Sequence, residues 1–343
     1  MASYPNFNQT TTADEVASAF ASQITSKTIL ITGINPSGLG AAFASAVAPY
    51  SPSTLILTAR TPAKALPVLA SLRAANPLSP TTYHVIPLDL SSLASVRSAA
   101  AQIAALAPSI DILLNNAGVM ALPSRTLSVD GVEMHLASNF LGHFLLTTLL
   151  SAQLRAAGRA RVVNVTSAEF VLTPFRFSDF NFEEGREAGL PEPERVHVPV
   201  AEMMGFKGLA ASCGYVPMVA YAQANTANML FSRWIGEVEG GVVGVSAAPG
   251  VVVTDLQRHL PSDFRNPYMF YKTPSQGVAS FVVAALDPAL EDHPGAYIND
   301  CQVEKTADYV ESPEMAARLW DLADGLCRGK RCATALPDAL VHR

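Results

Sequence analysis

The first residues that could do chemistry form a glycine-rich segment from Thr32 to Gly40, with the sequence TGINPSGLG. Gly33, Gly38 and Gly40 leave room for a tight turn and let backbone N–H groups approach a bound phosphate. A helix that begins at such a turn directs the positive end of its dipole towards the same phosphate. The segment therefore predicts the pyrophosphate site of a dinucleotide, and an ordinary turn between a strand and a helix is the alternative.

Arg60 follows the second predicted strand, where an NAD site normally has an aspartate or glutamate for the ribose 2′-hydroxyl. A guanidinium group instead pairs with a 2′-phosphate through two parallel hydrogen bonds. The residue type therefore favours NADP(H) over NAD(H), with Ser37 and Lys64 as further candidate contacts. The alternative is a solvated surface arginine.

Short apolar runs alternate with helical patterns along the chain and would position these groups. Strands are predicted at residues 28–32, 54–58, 83–88, 111–114, 161–166, 242–247 and 296–298. Helices are predicted at 62–76, 93–107, 218–238 and 274–286, with a long helical stretch after Asp130. Because the strands show no alternation of charge, we expect an α/β fold with a doubly wound parallel sheet and helices on both faces.

One domain is predicted for residues 28–310, with a polar segment and short helix before it (1–27) and a helix and tail after it (311–343). Residues 183–214 show no clear periodicity, which predicts an inserted, lid-like segment rather than a second domain. The apolar residues of this region could line a hydrophobic pocket or pack the insertion against the body. They are Phe170, Phe175, Phe177, Met203, Met204, Phe206 and Met218.

The composition argues against several classes of protein. Of the 343 residues, 49% are hydrophobic, and the net charge of −6 comes without a cluster of basic residues, so neither nucleic acid nor an anionic membrane is expected as a partner. The cysteines have neither a disulfide pattern nor metal-ligand spacing, which predicts free thiols and no metal. Without a long apolar run or a signal-like amino terminus, the sequence predicts a cytoplasmic protein with no membrane span.

Seven ordered motifs between residues 28 and 300 resemble those of the short-chain dehydrogenase/reductase family, in particular its retinol-dehydrogenase-like and fungal branch. They are the turn at 32–40, LDL at 88–90, NNAG at 115–118, Asn139, RVVNVTS at 161–167, YAQAN at 221–225 and PGVVVT at 249–254. The turn has one residue more between Gly33 and Gly38 than the family's TGxxxGxG. The resemblance implies a single Rossmann-like domain and a nicotinamide cofactor.

The resemblance also assigns roles to individual positions. The implied catalytic residues are Asn139, Ser167, Tyr221 and Asn225. The implied cofactor contacts, with those argued above, are Gly33, Asn35, Ser37, Gly38, Leu39, Gly40, Arg60, Lys64, Asp89, Leu90, Asn116, Ala117, Gly118, Tyr221, Asn225, Pro249, Val252 and Thr254.

Partner expectations follow from the same resemblance. In the family the region after the PG motif covers the substrate, and here it contains Phe264, Tyr268, Phe270 and Tyr271, which implies an apolar or polycyclic small molecule. A role in secondary metabolism is expected from the fungal branch. A homodimer through the helix after Asp130 and the helix that carries Tyr221 is expected as one option, and a monomer is the other.

Asn225 stands where the family has a lysine that holds the nicotinamide ribose and lowers the pKa of the tyrosine. An amide can hydrogen-bond the ribose but supplies no charge. With no other charge expected nearby, Tyr221 is predicted to keep a pKa of about 10. Alcohol oxidation needs tyrosinate as a base, whereas carbonyl reduction needs the neutral phenol as an acid. The sequence therefore predicts an NADP(H)-dependent enzyme that acts mainly as a carbonyl reductase.

Two other functions stay open at the level of sequence. One is a non-redox isomerase, dehydratase or cyclase that evolved after the lysine was lost, in which Ser167 and Tyr221 polarise an oxyanion and donate a proton. The other is a binding protein without activity. Lys207 or His197, both in the insertion, could fold back to replace the missing cation, or could be solvated.

Overall fold

The computed structural model describes residues 2–184, 187–204, 214–260 and 270–329. Its strands, in chain order, are β1 Thr28–Ile31, β2 Thr54–Ala59, β3 Thr82–Pro87, β4 Ile112–Asn115, β5 Ala160–Val165, β6 Val242–Ala247, β7 Val251–Val252, β8 Tyr271–Lys272, β9 Tyr297–Asn299 and β10 Gln302–Glu304. Eight of them form one sheet in the order β10-β9-β6-β5-β4-β1-β2-β3, and β7 and β8 form a small parallel pair. Within the large sheet β1 to β6 and β9 pair in parallel, and β10 pairs with β9 in antiparallel.

Helices cover both faces of this sheet, as the sequence predicts. In chain order they are α1 Ala13–Ala19, α2 Ala21–Ile24, α3 Leu39–Val47, α4 Leu66–Ala75, α5 Leu93–Leu106, α6 Gly142–Leu149, α7 Ser151–Ala156, α8 Val198–Met203, α9 Pro217–Val238, α10 Pro274–Leu286, α11 Asp308–Glu311 and α12 Pro313–Cys327. A π-helix, Leu136–Leu141, leads directly into α6. The α/β fold with a doubly wound parallel sheet is confirmed.

The side chains of β1 point alternately into the two apolar cores, one on each face of the sheet. Ile29 and Ile31 pack with α1, α3 and α10, whereas Leu30 packs with α5, α6 and α9 on the other face. Since side chains alternate across a strand, a strand between two helical layers must be apolar at every position. This explains why the apolar runs of the sequence identify the strands.

The order of the strands also places the motif-bearing loops. β1 lies between β2 and β4, so the chain changes direction along the sheet at this point. The carboxyl ends of parallel strands lie at one edge, and a crevice opens where the strand order reverses. The segments after β1 to β6 therefore meet at the edge where a dinucleotide would bind.

The helix α12 covers part of the layer that α6 and α9 form. The ring of Trp320 lies 4.9 Å from that of Phe144 and 6.1 Å from that of Phe231, measured between centroids. Ala316, Leu319 and other apolar residues of α12 join the same buried cluster. This helix therefore completes one of the two cores.

The described part of the insertion packs against the start of α9. Phe182, Val196 and Ala201 are buried there with residues of α9. A buried ion pair between Arg176 and Glu187 ties the segment to the body of the protein.

The apolar residues of this region do not share one role. Phe175 belongs to the core beneath α9 and Phe177 packs against it, whereas the side chain of Met203 is 81% exposed. Phe170 packs with Tyr297, Met204 packs with the insertion cluster, and Met218 lies beside Tyr221. Phe206 lies outside the described residues.

Cys301 and Cys327 are buried free thiols, and Cys213 and Cys332 lie outside the described residues. No helix in the part of the chain that the structure describes is long and apolar enough to cross a membrane.

Candidate active site

The glycine-rich turn packs directly on the loop after β4. Gly33 has a φ of +76°, and a Cβ atom there would lie 2.7 Å from the Cα of Ala117, so the position requires glycine. The Thr32 hydroxyl accepts hydrogen bonds from the backbone N–H groups of Asn116, at 2.8 Å, and of Ala117, at 3.0 Å. Gly38 is the N-cap of α3, so the first N–H groups of that helix face the same edge of the sheet.

The other predicted cofactor contacts follow the neighbouring strands. Arg60 and Lys64 come after β2 and are exposed, and Arg60 makes no ion pair with any residue that the structure describes. Asp89 follows β3 and accepts hydrogen bonds from the backbone and side chain of Ser91. The remaining predicted contacts lie in the turn, after β3, after β4 and after β6: Asn35, Ser37, Leu39, Gly40, Leu90, Gly118, Pro249, Val252 and Thr254.

A carboxylate that the sequence did not reveal lies beside the glycine-rich turn. The Ser37 hydroxyl donates a hydrogen bond of 3.1 Å to Asp255, which comes one residue after Thr254. Both side chains are exposed. The contact joins the glycine-rich turn to the loop after β7, and no sequence signal relates two positions so far apart.

Asn139 holds the loop after β4 in place. Its side-chain amide donates to the backbone carbonyl of Val119 at 2.9 Å, and its side-chain oxygen accepts from the Val119 N–H at 2.8 Å. His143 lies behind it, with Nδ1 3.0 Å from the Asn139 carbonyl and Nε2 2.8 Å from the Thr32 hydroxyl. Burial lowers the pKa of His143 to about 4, so the ring is neutral and links the π-helix to the glycine-rich turn.

Ser167, Tyr221 and Asn225 come together at the carboxyl edge of β5. Tyr221 and Asn225 are one turn apart on α9 and both are buried. The amide of Asn225 donates a hydrogen bond of 3.0 Å to the backbone carbonyl of Tyr221. Ser167 follows β5 and its side chain, like that of Asn225, can hydrogen-bond the phenol. The structure therefore brings three of the four predicted catalytic residues together, and Asn139 instead holds the loop after β4.

The predicted pKa of about 10 for Tyr221 is wrong. Burial of the phenol and the nearby carboxylate of Glu169 both raise its pKa well above the ordinary value, against a smaller opposing effect of hydrogen bonding from Ser167 and Asn225. The prediction assumed that no charge lies near the phenol. Glu169 stands two residues after Ser167, and this short spacing is the sequence signal that could have revealed it.

Of the two candidates for a replacement cation, the structure describes only His197, which packs away from Tyr221. The ring of His197 packs against Tyr309, with 5.4 Å between centroids, and Lys207 lies outside the described residues. The buried Lys272 forms an ion pair with Asp300 and lies behind the PG motif. A Cβ atom on Gly250, which has a φ of +69°, would lie 3.0 Å from Cε of Lys272. Lys272 therefore supports the loop after β6.

An apolar wall lies against the phenol, and the ring of His135 packs edge-on against the phenol ring with 6.2 Å between centroids. Met120, Ala121 and Met218 are buried against Tyr221, and Leu256 and Leu260 pack against them. Phe264 and Tyr268 lie outside the described residues, and Phe270 is 47% exposed. The wall suits an apolar ligand, because burying hydrocarbon surface against it is favourable.

Comparisons with known proteins give a consistent picture. A family model described as short chain dehydrogenase matches residues 27–177. The oxidoreductase fscI of Fusarium equiseti is 41% identical over 250 residues, which cover 71% of this chain and 94% of that protein. Retinol dehydrogenase 14 of Mus musculus is 31% identical over 315 residues, covering 87% of this chain and 85% of the relative.

A solved structure shows the same fold. The RhlG/NADP active-site complex of Pseudomonas aeruginosa superposes with a TM-score of 0.57 at 20% identity, covering 80% of this chain and 94% of that one. The similarities thus extend over most of this chain.

Proposed function

Because this chain belongs to the short-chain dehydrogenase/reductase family and is an oxidoreductase of that family, we propose that it is an NADP(H)-dependent carbonyl reductase for an apolar small molecule. The observation that carries this proposal is a neutral phenol, Tyr221, buried beside Ser167 at the sheet edge and against an apolar wall. Reduction of a carbonyl requires such a phenol as its acid.

The chain offers a suitable site for NADP(H). Gly33 allows the turn to approach a pyrophosphate, and the start of α3 offers backbone N–H groups to it. Arg60, exposed and free of ion pairs among the described residues, would hold the 2′-phosphate with Lys64 beside it. Asp89 would contact the adenine, and Asn225 would hydrogen-bond the nicotinamide ribose where the family has lysine. The bound cofactor would supply the hydride.

Tyr221 would donate its phenolic proton to the carbonyl oxygen, with Ser167 beside the phenol. Even at an ordinary pKa, about one tyrosine in a thousand is ionised at neutral pH, which costs about 4 kcal/mol for a step that needs tyrosinate. The raised pKa makes the ionised form rarer still. This environment therefore lowers the rate of alcohol oxidation, which needs the ionised phenol. The neutral phenol that reduction needs is fully populated.

An assay in both directions tests this proposal. We expect purified protein with NADPH to reduce members of a panel of apolar aldehydes and ketones, and to oxidise the corresponding alcohols with NADP⁺ more slowly at neutral pH. Oxidation should accelerate as the pH rises, because more of the phenol then ionises. The absorbance of NADPH measures both reactions, through its consumption in reduction and its formation in oxidation. Rapid oxidation at neutral pH would contradict the proposal.

Replacing Arg60 with alanine tests the preference for NADP(H). The Kd for NADPH should rise by about 10- to 100-fold, since a charge-assisted pair with the 2′-phosphate contributes roughly 1.5–3 kcal/mol, and the Kd for NADH should change little. Arg159→Ala is the matched control, because Arg159 is an exposed arginine before β5 that pairs with Glu291. Calorimetric titration gives both constants, and an equal loss for NADPH and NADH would argue against a role in 2′-phosphate binding.

Of the two expected assembly states, homodimer and monomer, the packing of α12 favours the monomer. Trp320 lies over Phe144 of α6 and Phe231 of α9, which are the helices that a homodimer would use. Free thiols at Cys301 and Cys327 suit the reducing cytoplasm. We also propose a role in secondary metabolism, in keeping with the fungal branch that the motifs resemble, and identification of the substrate would test it.

A further inference from the structure

The hydroxyl of Ser167 is committed to a carboxylate. Its Oγ donates a hydrogen bond to Oε2 of Glu169. Ala168 and Glu169 are the first two residues of the short 3₁₀ helix that follows β5. A serine has one O–H, so while this bond persists the other side of Oγ offers only acceptor lone pairs. Ser167 and Glu169 are both partly accessible, whereas Tyr221 is buried.

This arrangement bears on a difficulty of the proposed function. When Tyr221 gives its proton to a carbonyl oxygen, a phenolate would remain in a buried place beside a carboxylate. A buried charge without a partner is costly, and two like charges at one site cost more. Asn225 supplies no positive charge to offset this. The proton must therefore be replaced as it leaves.

We propose that Glu169, acting through the Ser167 hydroxyl, is the group that returns a proton to Tyr221 in reduction and removes it in oxidation. This inference rests on the proposed function. Glu169 is a positioning residue for the Ser167 hydroxyl and the outer end of a proton path that runs from Tyr221 to solvent. A cation would stabilise the phenolate by its charge. The path instead reprotonates the phenolate.

In reduction, one proton moves along each step of the path. The Glu169 carboxylate first takes a proton from water and becomes a carboxylic acid. Its O–H bond then breaks as the proton moves to Oγ of Ser167, the Ser167 proton moves to Oη of Tyr221, and the Tyr221 proton forms the O–H bond of the product alcohol. Serine and tyrosine end as they began, and Glu169 ends as the carboxylate that accepts the Ser167 hydrogen bond. In oxidation each proton moves the opposite way.

The groups that face this path come from several elements. The charge of Glu169 acts on Tyr221 of α9 and on Tyr297 of β9, and Glu304 and Asp300 also act on Tyr297. The ring of His135, which is bonded to Glu133, packs edge-on against Tyr221. Asp300 is paired with Lys272. Tyr309 of α11, which packs against His197, donates to the carbonyl of Phe170, the next residue after Glu169. The test must therefore separate Glu169 from these neighbours.

The first experiment needs neither substrate nor cofactor. Tyrosine labelled with carbon-13 at Cζ is incorporated, and the Tyr221 signal is assigned by its loss in Tyr221→Phe. We expect this signal to shift with pH in the wild type and in the control Glu202→Gln, an exposed glutamate of α8. The shift should vanish in Glu169→Gln, and in Ser167→Ala it should shrink to the part that the charge of Glu169 causes through space. A wild-type signal that does not respond, or the same response in Glu169→Gln, overturns the proposal.

The second experiment uses the best carbonyl of the panel. Glu169→Gln keeps the size and hydrogen-bonding capacity of the side chain but cannot pass a proton, so kcat for reduction should fall by about 100-fold with KM unchanged. Wild-type kcat should decrease as the pH rises, because the path takes its proton from solvent, and the variant should lose this dependence. If Glu169 had only a structural role, Glu169→Gln would keep the wild-type pH profile and would have a lower melting temperature. That result would contradict the proposal.

The two experiments separate the possible failures. If no carbonyl is reduced but the Tyr221 signal follows Glu169, the proposed reaction is wrong and the proton path stands. If carbonyls are reduced and the signal is independent of Glu169, the reaction stands and the proton path is wrong.

Discussion

Replacing Tyr221 with phenylalanine should lower kcat for carbonyl reduction by about 1,000-fold, because the reaction loses the acid that protonates the carbonyl oxygen. The substitution removes one oxygen atom and keeps the ring, whose packing against Met120 and Met218 supports the local structure. The affinity for NADPH should stay close to that of the wild type, since the proposed contacts of the cofactor lie mainly in the turn and at Arg60. Steady-state kinetics and a fluorescence titration of NADPH measure the two effects.

Tyr83→Phe is the control for this experiment. Tyr83 lies on β3 at the opposite edge of the sheet from β9 and β10, and its buried hydroxyl has no hydrogen-bond partner among the described residues. Its loss should leave kcat unchanged. A Tyr221→Phe protein that still turns over at the wild-type rate would exclude Tyr221 as the acid.

Introducing the missing cation, by Asn225→Lys, should raise the rate of alcohol oxidation by about 10- to 1,000-fold. An ammonium group one turn from Tyr221 favours the phenolate, and an opposite charge at this range lowers a pKa by roughly 1–3 units. The gain in reduction should be smaller, because the neutral phenol is already fully populated. Rates in both directions at neutral pH measure the change.

Asn225→Met is the control for the length of the new side chain. It removes the hydrogen bond to the Tyr221 carbonyl, as the lysine does, but adds no charge, so oxidation should not increase. Thermal unfolding checks that the buried position tolerates each residue. Unchanged or reduced turnover in a well-folded Asn225→Lys protein would instead indicate an enzyme whose chemistry no longer uses tyrosinate, as in the non-redox alternative.

The sequence predicted the sheet because its strands are apolar on both faces. Runs such as TILIT at 28–32 can only be buried between two helical layers, and the Gly-rich turn then fixes which end of the sheet holds the crevice. The structure adds short elements that periodicity cannot reveal, such as the two-residue strands β7 and β8 and the antiparallel β10. These are too short to show a period.

The candidate site was predictable where neighbours in the chain are neighbours in space. Tyr221 and Asn225 share a helix face, so their proximity follows from their spacing. The environment of Tyr221 was harder to predict, because its pKa depends on burial and on Glu169, which is 52 positions earlier in the chain and is marked only by its spacing of two residues from Ser167. The contact between Ser37 and Asp255 is of the same kind.

The position of α12 has a consequence for how the chain acquires its active structure during synthesis. Trp320 closes the core behind α9, the helix that carries Tyr221, and it leaves the ribosome about a hundred residues after that tyrosine. Until then Phe144 and Phe231 lack part of their covering. The nascent chain should therefore depend on chaperones in this interval, and nonsense mutations shortly before Pro313 should yield aggregated rather than merely shortened protein.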